Sequence, residues 1–309
     1  MFPFMARERF CYFLVAFHVA DFVKTTFKNS FHEPRPVFMW SDMSPHTCAM
    51  TFGLPSGHSA ESANFVLVLL LDQFKPSRWS KSTYPELNSR TSSNSPYALA
   101  ALLLLVFTYW PMVVYDRIVL GKHTLNQVLL GSQIGFWCAC FSHFCLRDFV
   151  YCHVTKIING ETRLTKDRAL KYTLNAVKLV AVLFTFQVIV AYVGAMFLRI
   201  DPTWLKNLAN TCGEKFQTDE DGNYIVEDKF ATFFAQGIPS VANHLCSVLG
   251  LYLGLIAYRY KGNGRLGPNA FESDSPLKQI VYAISMMLLT QAPEKVVHTF
   301  TTPETSLIL

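Results

Sequence analysis

The stretch AVKLVAVLFTFQVIVAYVGAMFL, residues 176–198, indicates the fold most clearly. It carries no charge after Lys178, and at ~1.5 Å of helical rise per residue it is long enough to cross the ~30 Å hydrocarbon core of a bilayer. Helices are favoured in lipid because they satisfy their backbone polar groups internally. The sequence therefore predicts a membrane helix here, and a protein whose main solvent is the bilayer.

Further apolar stretches bring the number of candidate spans to about seven. They lie at residues 10–24, 58–73, 97–115, 124–146, 236–258 and 278–296. The first two are short and carry Asp21 and Glu61, so each is also compatible with a buried helix that does not cross. Apolar residues make up 51% of the chain and charged residues only 16%, which is too little polar surface for a soluble domain of this size.

We therefore expect an all-α, polytopic transmembrane helical bundle. Residues 1–150 are predicted to form its helical core, and residues 151–309 to add the C-terminal transmembrane helices and loops of the same membrane domain. If every candidate span crosses, the loops and adjoining span ends on one side carry 16 Lys and Arg residues, and those on the other side carry 10. The positive-inside rule then places the less basic side, with residues 24–57 and 116–123, away from the cytoplasm or the mitochondrial matrix.

The eight cysteines lack the paired CxxC spacing of a zinc site and lie mostly in or beside apolar stretches. We interpret them as apolar side chains. Cys48 and Cys212 fall in loops assigned to the same side of the membrane, so a disulfide between them is the alternative to two free thiols. The basic residues are dispersed and form no nucleic-acid-like run, so no nucleic acid partner is expected.

Three short stretches concentrate the polar side chains that the predicted spans avoid. They are KNSFHEPRP at 28–36, GLPSGHS at 53–59 and YDRIVLGKHTLNQ at 115–127. Each lies at a predicted helix end on the same side of the membrane. The fold is therefore expected to bring them together in one pocket.

These residue types suit a phosphate group. Lys28, Arg35 and Arg117 supply positive charge, and the planar guanidinium of arginine can meet two phosphate oxygens at once. Ser56 and Gly57 precede the predicted helix, where backbone N–H groups and the positive end of the helix dipole favour an anion. Together they predict an anion-binding pocket.

Two histidines in the same stretches add reactive groups. A neutral imidazole can attack phosphorus and a charged one can donate a proton, so His58 and His123 can divide these tasks. Gln127 lies one helical turn after His123, where its carbonyl can accept the Nδ1 proton and leave Nε2 free. We therefore assign His123 as the nucleophile and His58 as the general acid, with Glu61, one turn beyond His58, as a candidate to orient that imidazole.

The three stretches resemble the signature of the type 2 phosphatidic acid phosphatase superfamily, which includes lipid phosphate phosphatases, dolichyl-diphosphatase, sphingosine-1-phosphate phosphatases and glucose-6-phosphatase. The matching elements are Lys28-x6-Arg35-Pro36, Pro55-Ser56-Gly57-His58 and Arg117-x5-His123. The resemblance implies a phosphatidic acid phosphatase/haloperoxidase-like core, a phosphohistidine intermediate, and no metal or other cofactor. It implies a nucleophile and an acid at the same two histidines, and phosphate contacts from Lys28, Arg35, Ser56, Gly57 and Arg117.

Two positions depart from the family pattern. The third motif usually begins Ser-Arg and ends His-x3-Asp, whereas this chain has Asp116 before Arg117 and Gln127 after His123. A neutral amide stabilises an imidazolium less than a carboxylate does, although glucose-6-phosphatase is similar in having Gln there. Asp116 either offsets the charge of Arg117 or points outward from the helix end.

The expected function is that of an integral membrane phosphatase acting on a phosphorylated lipid or isoprenoid. The endoplasmic reticulum or another endomembrane is the expected location, and the mitochondrial inner membrane is the alternative. Two other functions stay open. One is a non-catalytic, phosphatase-like accessory subunit that binds a phospholipid headgroup among other subunits of a membrane complex, and the other is a sugar phosphatase similar to glucose-6-phosphatase.

Overall fold

The computed structural model describes residues 7–40, 51–74, 96–159, 164–197, 201–212 and 237–261. The regular elements of these residues are all helices. In chain order the α-helices are α1 (Arg7–Phe31), α2 (Pro36–Met39), α3 (Gly57–Phe74), α4 (Pro96–Val119), α5 (Leu125–Phe141), α6 (Arg147–Asn159), α7 (Lys166–Phe197), α8 (Pro202–Cys212) and α9 (Gly237–Lys261). The expected helical bundle is confirmed for this part of the chain. The Cys48–Cys212 pairing lies outside what the structure describes.

Four helical segments of the described residues are long and apolar enough to cross a membrane. They are Glu8–Met39, Leu102–Val119, Leu125–Ile157 and Lys166–Gly194. They correspond to the spans predicted at 10–24, 97–115, 124–146 and 176–198. The stretches predicted at 58–73 and 236–258 are also helical, as α3 and α9, but are not among these four. The stretch at 278–296 lies outside the described residues.

Large apolar side chains cover the outward faces of α4 and α7. Phe107 and Met112 of α4 are 74% and 72% exposed, and Val182 of α7 is 66% exposed. A continuous apolar surface of this kind indicates contact with lipid rather than water. The chain is therefore an integral membrane protein.

Helices α5 and α6 form one continuous rod, joined by a π-helical turn at Ser142–Leu146. Residues 147–175 separate the spans predicted at 124–146 and 176–198, and they are mostly helical, because α6 fills most of this range and α7 begins within it. In the structure Arg147 is buried and its Nη2 lies 2.8 Å from Asp72 Oδ1, so its charge is offset inside the bundle.

Helices α3 and α5 approach each other at two glycines of α5. A Cβ atom at Gly131 would lie 2.4 Å from the carbonyl oxygen of Ser56, and one at Gly135 would lie 2.2 Å from that of Ala60. Both separations are too short for any side chain, so the approach requires glycine. The contact brings the start of α3 beside the first turn of α5, where the Ser56 N–H donates to the Gln127 carbonyl oxygen at 3.0 Å.

We expect Gly135→Ala to destabilise the bundle by about 1–3 kcal/mol, because the added methyl group forces α3 and α5 apart. Gly250→Ala on α9 is the matched control, since no atom lies within 4 Å of the new methyl group and alanine favours a helix. Thermal unfolding of both purified variants in one detergent measures the difference. Equal melting temperatures would contradict the close α3–α5 contact.

Candidate active site

The loop from α1 to α2 carries the first motif into the bundle. Helix α1 extends beyond the predicted span, so Lys28 lies in its last turn and not in the loop. The helix ends after Phe31 because His32 adopts a left-handed backbone conformation, φ 49°, and two prolines follow within four residues. Arg35, between these prolines, is the N-cap residue of α2.

Arg35 connects the first motif to the third. It is only 6% exposed, its Nη2 donates to Thr51 Oγ1 at 2.8 Å, and its Nε donates to the Thr51 carbonyl oxygen. Its Nη1 donates to the Lys122 carbonyl oxygen at 3.0 Å and lies 3.1 Å from His123 Nε2. The guanidinium is thus held directly against the reactive face of the His123 imidazole.

A tight turn between α4 and α5 holds His123 in the bundle. Gly121 adopts φ 64°, a conformation that glycine accepts readily. The N–H groups of Lys122 and His123 donate to the Arg117 carbonyl oxygen at 3.1 and 3.2 Å, which closes the end of α4. His123 is 4% exposed, and the next residue, Thr124, is the N-cap of α5.

The side chain of Gln127 selects the tautomer of His123. Its Nε2 lies 2.8 Å from the Pro34 carbonyl oxygen and 3.2 Å from Glu33 Oε1, and both of these are acceptors. Its Oε1 accepts from the Thr124 N–H at 3.2 Å. Only this orientation of the amide satisfies all three contacts, so Oε1 also accepts the proton of His123 Nδ1 at 3.3 Å. The lone pair of His123 is therefore on Nε2.

Gly53 leaves the space in which this amide lies. A Cβ atom there would lie 2.4 Å from Gln127 Oε1, so a larger residue would displace the amide. The Gly53 N–H also donates to the Glu33 carbonyl oxygen at 2.8 Å, which ties the second motif to the first.

The second motif places His58 and Ser56 at the start of α3. His58 is exposed, and its imidazole makes no hydrogen bond to any part of the chain that the structure describes. Ser56 is fully buried, and its Oγ lies 2.9 Å from Ser59 Oγ. Gly57 is the first residue of α3, so it lies at the positive end of the helix dipole.

The cations of the three motifs lie within electrostatic reach of the two histidines. The charges of Arg117 and Lys28 act on His58, and those of Arg35 and Lys28 act on His123. The tertiary structure thus brings both histidines and all three cations predicted from the sequence into one region. Among the described residues, no group of three or more His, Cys, Asp or Glu side chains is arranged to hold a metal ion.

Glu61 pairs with Lys24 and makes no hydrogen bond to His58 among the described residues. Its carboxylate pairs with Lys24 of α1, which also pairs with Asp21 one turn earlier. Nε2 of His244 on α9 lies 3.0 Å from the same aspartate. No hydrogen bond joins Glu61 to His58 among the described residues, but the charge of Glu61 acts on that imidazole, so the expected orienting role stays a prediction.

Arg117 is paired with its neighbour Asp116. Oδ2 of Asp116 accepts from Arg117 Nε at 2.9 Å and also from Nη2. The Asp116 side chain is 42% exposed and the Arg117 side chain 16% exposed. Of the two alternatives for Asp116, the structure shows the one in which its carboxylate offsets the arginine. A bound phosphate would have to compete with this carboxylate for Arg117.

The pKa of His123 lies far below that of a free imidazole. Burial lowers it most, and the charges of Arg35 and Lys28 lower it further, so that it falls from 6.5 to about 2. Without a bound anion His123 is therefore neutral at physiological pH. A neutral imidazole is the form that can act as a nucleophile.

Three residues of the site were not singled out from the sequence. Glu33 positions Gln127, Thr51 holds Arg35, and Gly53 makes room for the amide. Glu33 and Gly53 lie inside the stretches quoted for the first two motifs, which is a weak signal for both. Thr51 has no such signal, since its role depends on where the fold places Arg35.

A family model described as the PAP2 superfamily matches residues 9–151, a range that contains all three motifs. This part of the chain belongs to the PAP2 superfamily. No curated protein and no solved structure matches it. Membership supports a phosphatase-type function in general terms, and it confirms the resemblance inferred from the motifs.

The low pKa of His123 predicts a loss of stability in acid. Below pH 6.5 the unfolded chain binds a proton at this imidazole that the folded chain binds only near pH 2, so folding weakens as the pH falls through this window. One such group contributes about 1.4 kcal/mol for each pH unit. Because His123→Gln lacks the titrating imidazole, its melting temperature should depend less on pH below 6.5 than that of the unaltered protein. Parallel pH profiles would contradict a buried, neutral His123.

Proposed function

We propose that this PAP2 protein is a membrane phosphatase that hydrolyses a lipid phosphate or diphosphate through a phosphohistidine formed on His123. The observation that carries the proposal is the setting of the His123 imidazole. Gln127 holds the proton on Nδ1, and Arg35 Nη1 lies 3.1 Å from Nε2, so a lone pair and a phosphate-binding cation meet at one point. This is the arrangement that in-line attack on phosphorus requires.

In the first step the phosphate group binds Lys28, Arg35 and Arg117. A phosphate oxygen replaces Nε2 as the partner of Arg35 Nη1, which frees the His123 lone pair to attack phosphorus. As the new N–P bond forms, the bond to the leaving oxygen breaks, and His58 supplies the proton that this oxygen needs. The imidazole of His58 is exposed and has no competing hydrogen bond among the described residues, so it is accessible to the leaving group.

In the second step water attacks the phosphohistidine. His58, now neutral, accepts a proton from this water as the O–P bond forms and the N–P bond breaks. Phosphate leaves, His123 returns to its neutral form and His58 is again protonated. The cations stabilise the charge that develops on the phosphoryl oxygens in both steps.

A lipid substrate is supported by where the site lies in the bundle. Its residues lie at the ends of α1 and α4, and α4 exposes large apolar side chains along its apolar segment. A phosphorylated lipid or isoprenoid can therefore keep its apolar part in the bilayer while its phosphate meets the cations. We place the site on the non-cytoplasmic side of an endomembrane, because the loops on that side carry fewer basic residues.

A second candidate function is headgroup binding without turnover, by an accessory subunit of a membrane complex. The observation that favours it is the ion pair between Asp116 and Arg117. This pair reduces the charge available to a transition state, although a pocket with Lys28 and Arg35 would still attract an anion. A sugar phosphatase is a further alternative, and the phosphate-release assay described next distinguishes it from the other two functions.

The first test is phosphate release from phosphatidic acid, dolichyl diphosphate and glucose 6-phosphate by the purified protein. We expect release from a lipid substrate, inhibition by vanadate, complete loss in His123→Ala, and a loss of about 10²–10⁴-fold in His58→Ala. His153→Ala is the matched control, because that imidazole bonds to Tyr252 of α9 at 2.6 Å and to no motif residue.

If no phosphate is released from any of the three substrates and phosphatidic acid binds saturably, the result would contradict the phosphatase and support the headgroup-binding subunit. Release from glucose 6-phosphate alone would identify the sugar phosphatase. Activity that survives in His123→Ala would exclude the phosphohistidine.

The Asp116–Arg117 pair makes a separate prediction. Asp116→Asn keeps the size of the side chain but removes the charge that competes with phosphate, so vanadate should bind about tenfold more tightly, or ~1.4 kcal/mol. Asp167→Asn, at an exposed carboxylate in the first turn of α7, is the control. Inhibition constants for vanadate, or its dissociation constant if turnover is absent, give the measurement. Weaker binding in Asp116→Asn would show that the carboxylate instead positions Arg117 for the anion.

A further inference from the structure

A cavity of about 480 Å³ lies beside the phosphate-binding region, where α1 and α7 end and α8 begins. Its volume is within the range of ~300–1,000 Å³ that small-molecule sites occupy. Its lining holds three aromatic rings, Phe31, Phe197 and Trp204, one carboxylate, Glu33, and the buried imidazole of His32. The proposed phosphatase mechanism does not use this cavity.

The aromatic rings give the cavity walls of negative electrostatic potential. Phe31 stacks on Phe27 with ring centroids 5.4 Å apart, and is 50% exposed. Phe197, at the last position of α7, is 80% exposed. Aromatic faces attract cations through the ring quadrupole.

Glu33 adds a full negative charge to these walls. Its Oε1 accepts from Gln127 Nε2 and Asn126 Nδ2, both at 3.2 Å, whereas Oε2 has no hydrogen-bond partner among the described residues. The nearest cation in sequence, Arg35, directs its donors to Thr51, Lys122 and His123 instead. The cavity therefore presents a carboxylate oxygen without a cationic partner from the part of the chain that the structure describes.

The lining favours a weakly hydrated cation. A metal ion or a primary ammonium needs several oxygen acceptors to replace its water, and the only lining side chains with oxygen atoms are those of Ser30 and Glu33. A quaternary ammonium group has no N–H donors, so apolar and aromatic contacts with one counter-charge are sufficient for it.

The position of the cavity agrees with a cation at the surface of the bilayer. It lies near the ends of the apolar segments Glu8–Met39 and Lys166–Gly194, and the ends of membrane spans are where lipid headgroups and tryptophan side chains meet. Helix α8, which carries Trp204, is held against α2 by Asn207 Nδ2, which donates to the Phe38 carbonyl oxygen at 3.0 Å. The aromatic wall is thus built into the fold.

We propose that this cavity binds a quaternary ammonium group, with Glu33 as its counter-charge and Phe31, Phe197 and Trp204 as its aromatic walls. Choline headgroups of membrane lipids and free choline carry this group, and both share its chemistry. The site is separate from the proposed phosphatase activity. It adjoins that site, however, because the same carboxylate that faces the cation holds Gln127 through its other oxygen.

The test uses the full chain in phosphatidylglycerol nanodiscs, with ligand-observed NMR of the choline methyl signal. We expect saturable binding of choline, and binding at least about tenfold weaker for its uncharged carbon isostere, dimethylbutanol. Glu33→Gln keeps an acceptor for Gln127 but removes the charge, and Trp204→Leu removes the aromatic face. Each should weaken choline binding about tenfold.

Trp137→Leu on α5 is the matched control, because Trp137 stacks on Phe141 and does not line the cavity. Its choline affinity should equal that of the unaltered protein. If Trp204→Leu fails to fold, as judged by its melting curve, Phe197→Leu takes its place, since that ring is exposed at a helix end. These measurements follow binding and not turnover, so they are independent of whether the protein is a phosphatase.

A second arm identifies the source of the cation. If phosphatidylcholine in the nanodisc displaces choline, the site binds a lipid headgroup; if choline binds equally in both lipids, the site takes the free cation. Either result supports the proposal. The proposal is overturned if dimethylbutanol binds as tightly as choline. It is also overturned if both Glu33→Gln and the aromatic variant bind choline as tightly as the unaltered protein does, or if choline shows no saturable binding in phosphatidylglycerol.

Discussion

The hydrogen bonds of the Gln127 amide are the constraint on which the rest of the site depends. They join the α1–α2 loop, through Glu33 and Pro34, to the turn that carries His123 and Thr124. Because the amide is fully buried, loss of one partner would leave a polar group unsatisfied at a cost of about 1–3 kcal/mol. The same bonds place the lone pair of the histidine on Nε2, beside Arg35, so the packing of the bundle and its chemistry depend on the same contacts.

The charged side chains that stabilise the bundle are paired differently from those of the site. Deep in the bundle, Asp72 is shared between Arg9, at 2.6 Å, and Arg147, at 2.8 Å, which offsets charges that lipid would otherwise penalise. Lys28 and Arg35 have no carboxylate partner among the described residues. Positive charge without a counter-charge is thus concentrated where a phosphate can supply the missing anion. Burial and, to a smaller extent, this positive charge keep His123 neutral until the anion binds.

Two carboxylates at the edge of the site add negative charge at two different places. Asp116 neutralises part of the charge of Arg117, and therefore weakens the attraction for an anion. Glu33 lies on the other side of the Gln127 amide and extends a negative charge into a neighbouring aromatic cavity. A zwitterionic lipid carries both a phosphate and a quaternary ammonium group, so the two adjoining regions present charges complementary to those of such a headgroup.

Much of the fold and the site followed from local features of the sequence. Apolar runs predicted the helices because helix formation in lipid depends on composition over about 20 residues, and the contact between His123 and Gln127 was predictable because a spacing of four residues is local. The burial of Arg147 and the pairing of Glu61 with Lys24 were not predictable, since each depends on a helix distant in the chain. The sequence by itself determined which segments are helical and which residue types can meet a phosphate. Only the tertiary structure decided which charges are offset and which way the Gln127 amide is oriented, because these are set by contacts between segments far apart in the chain.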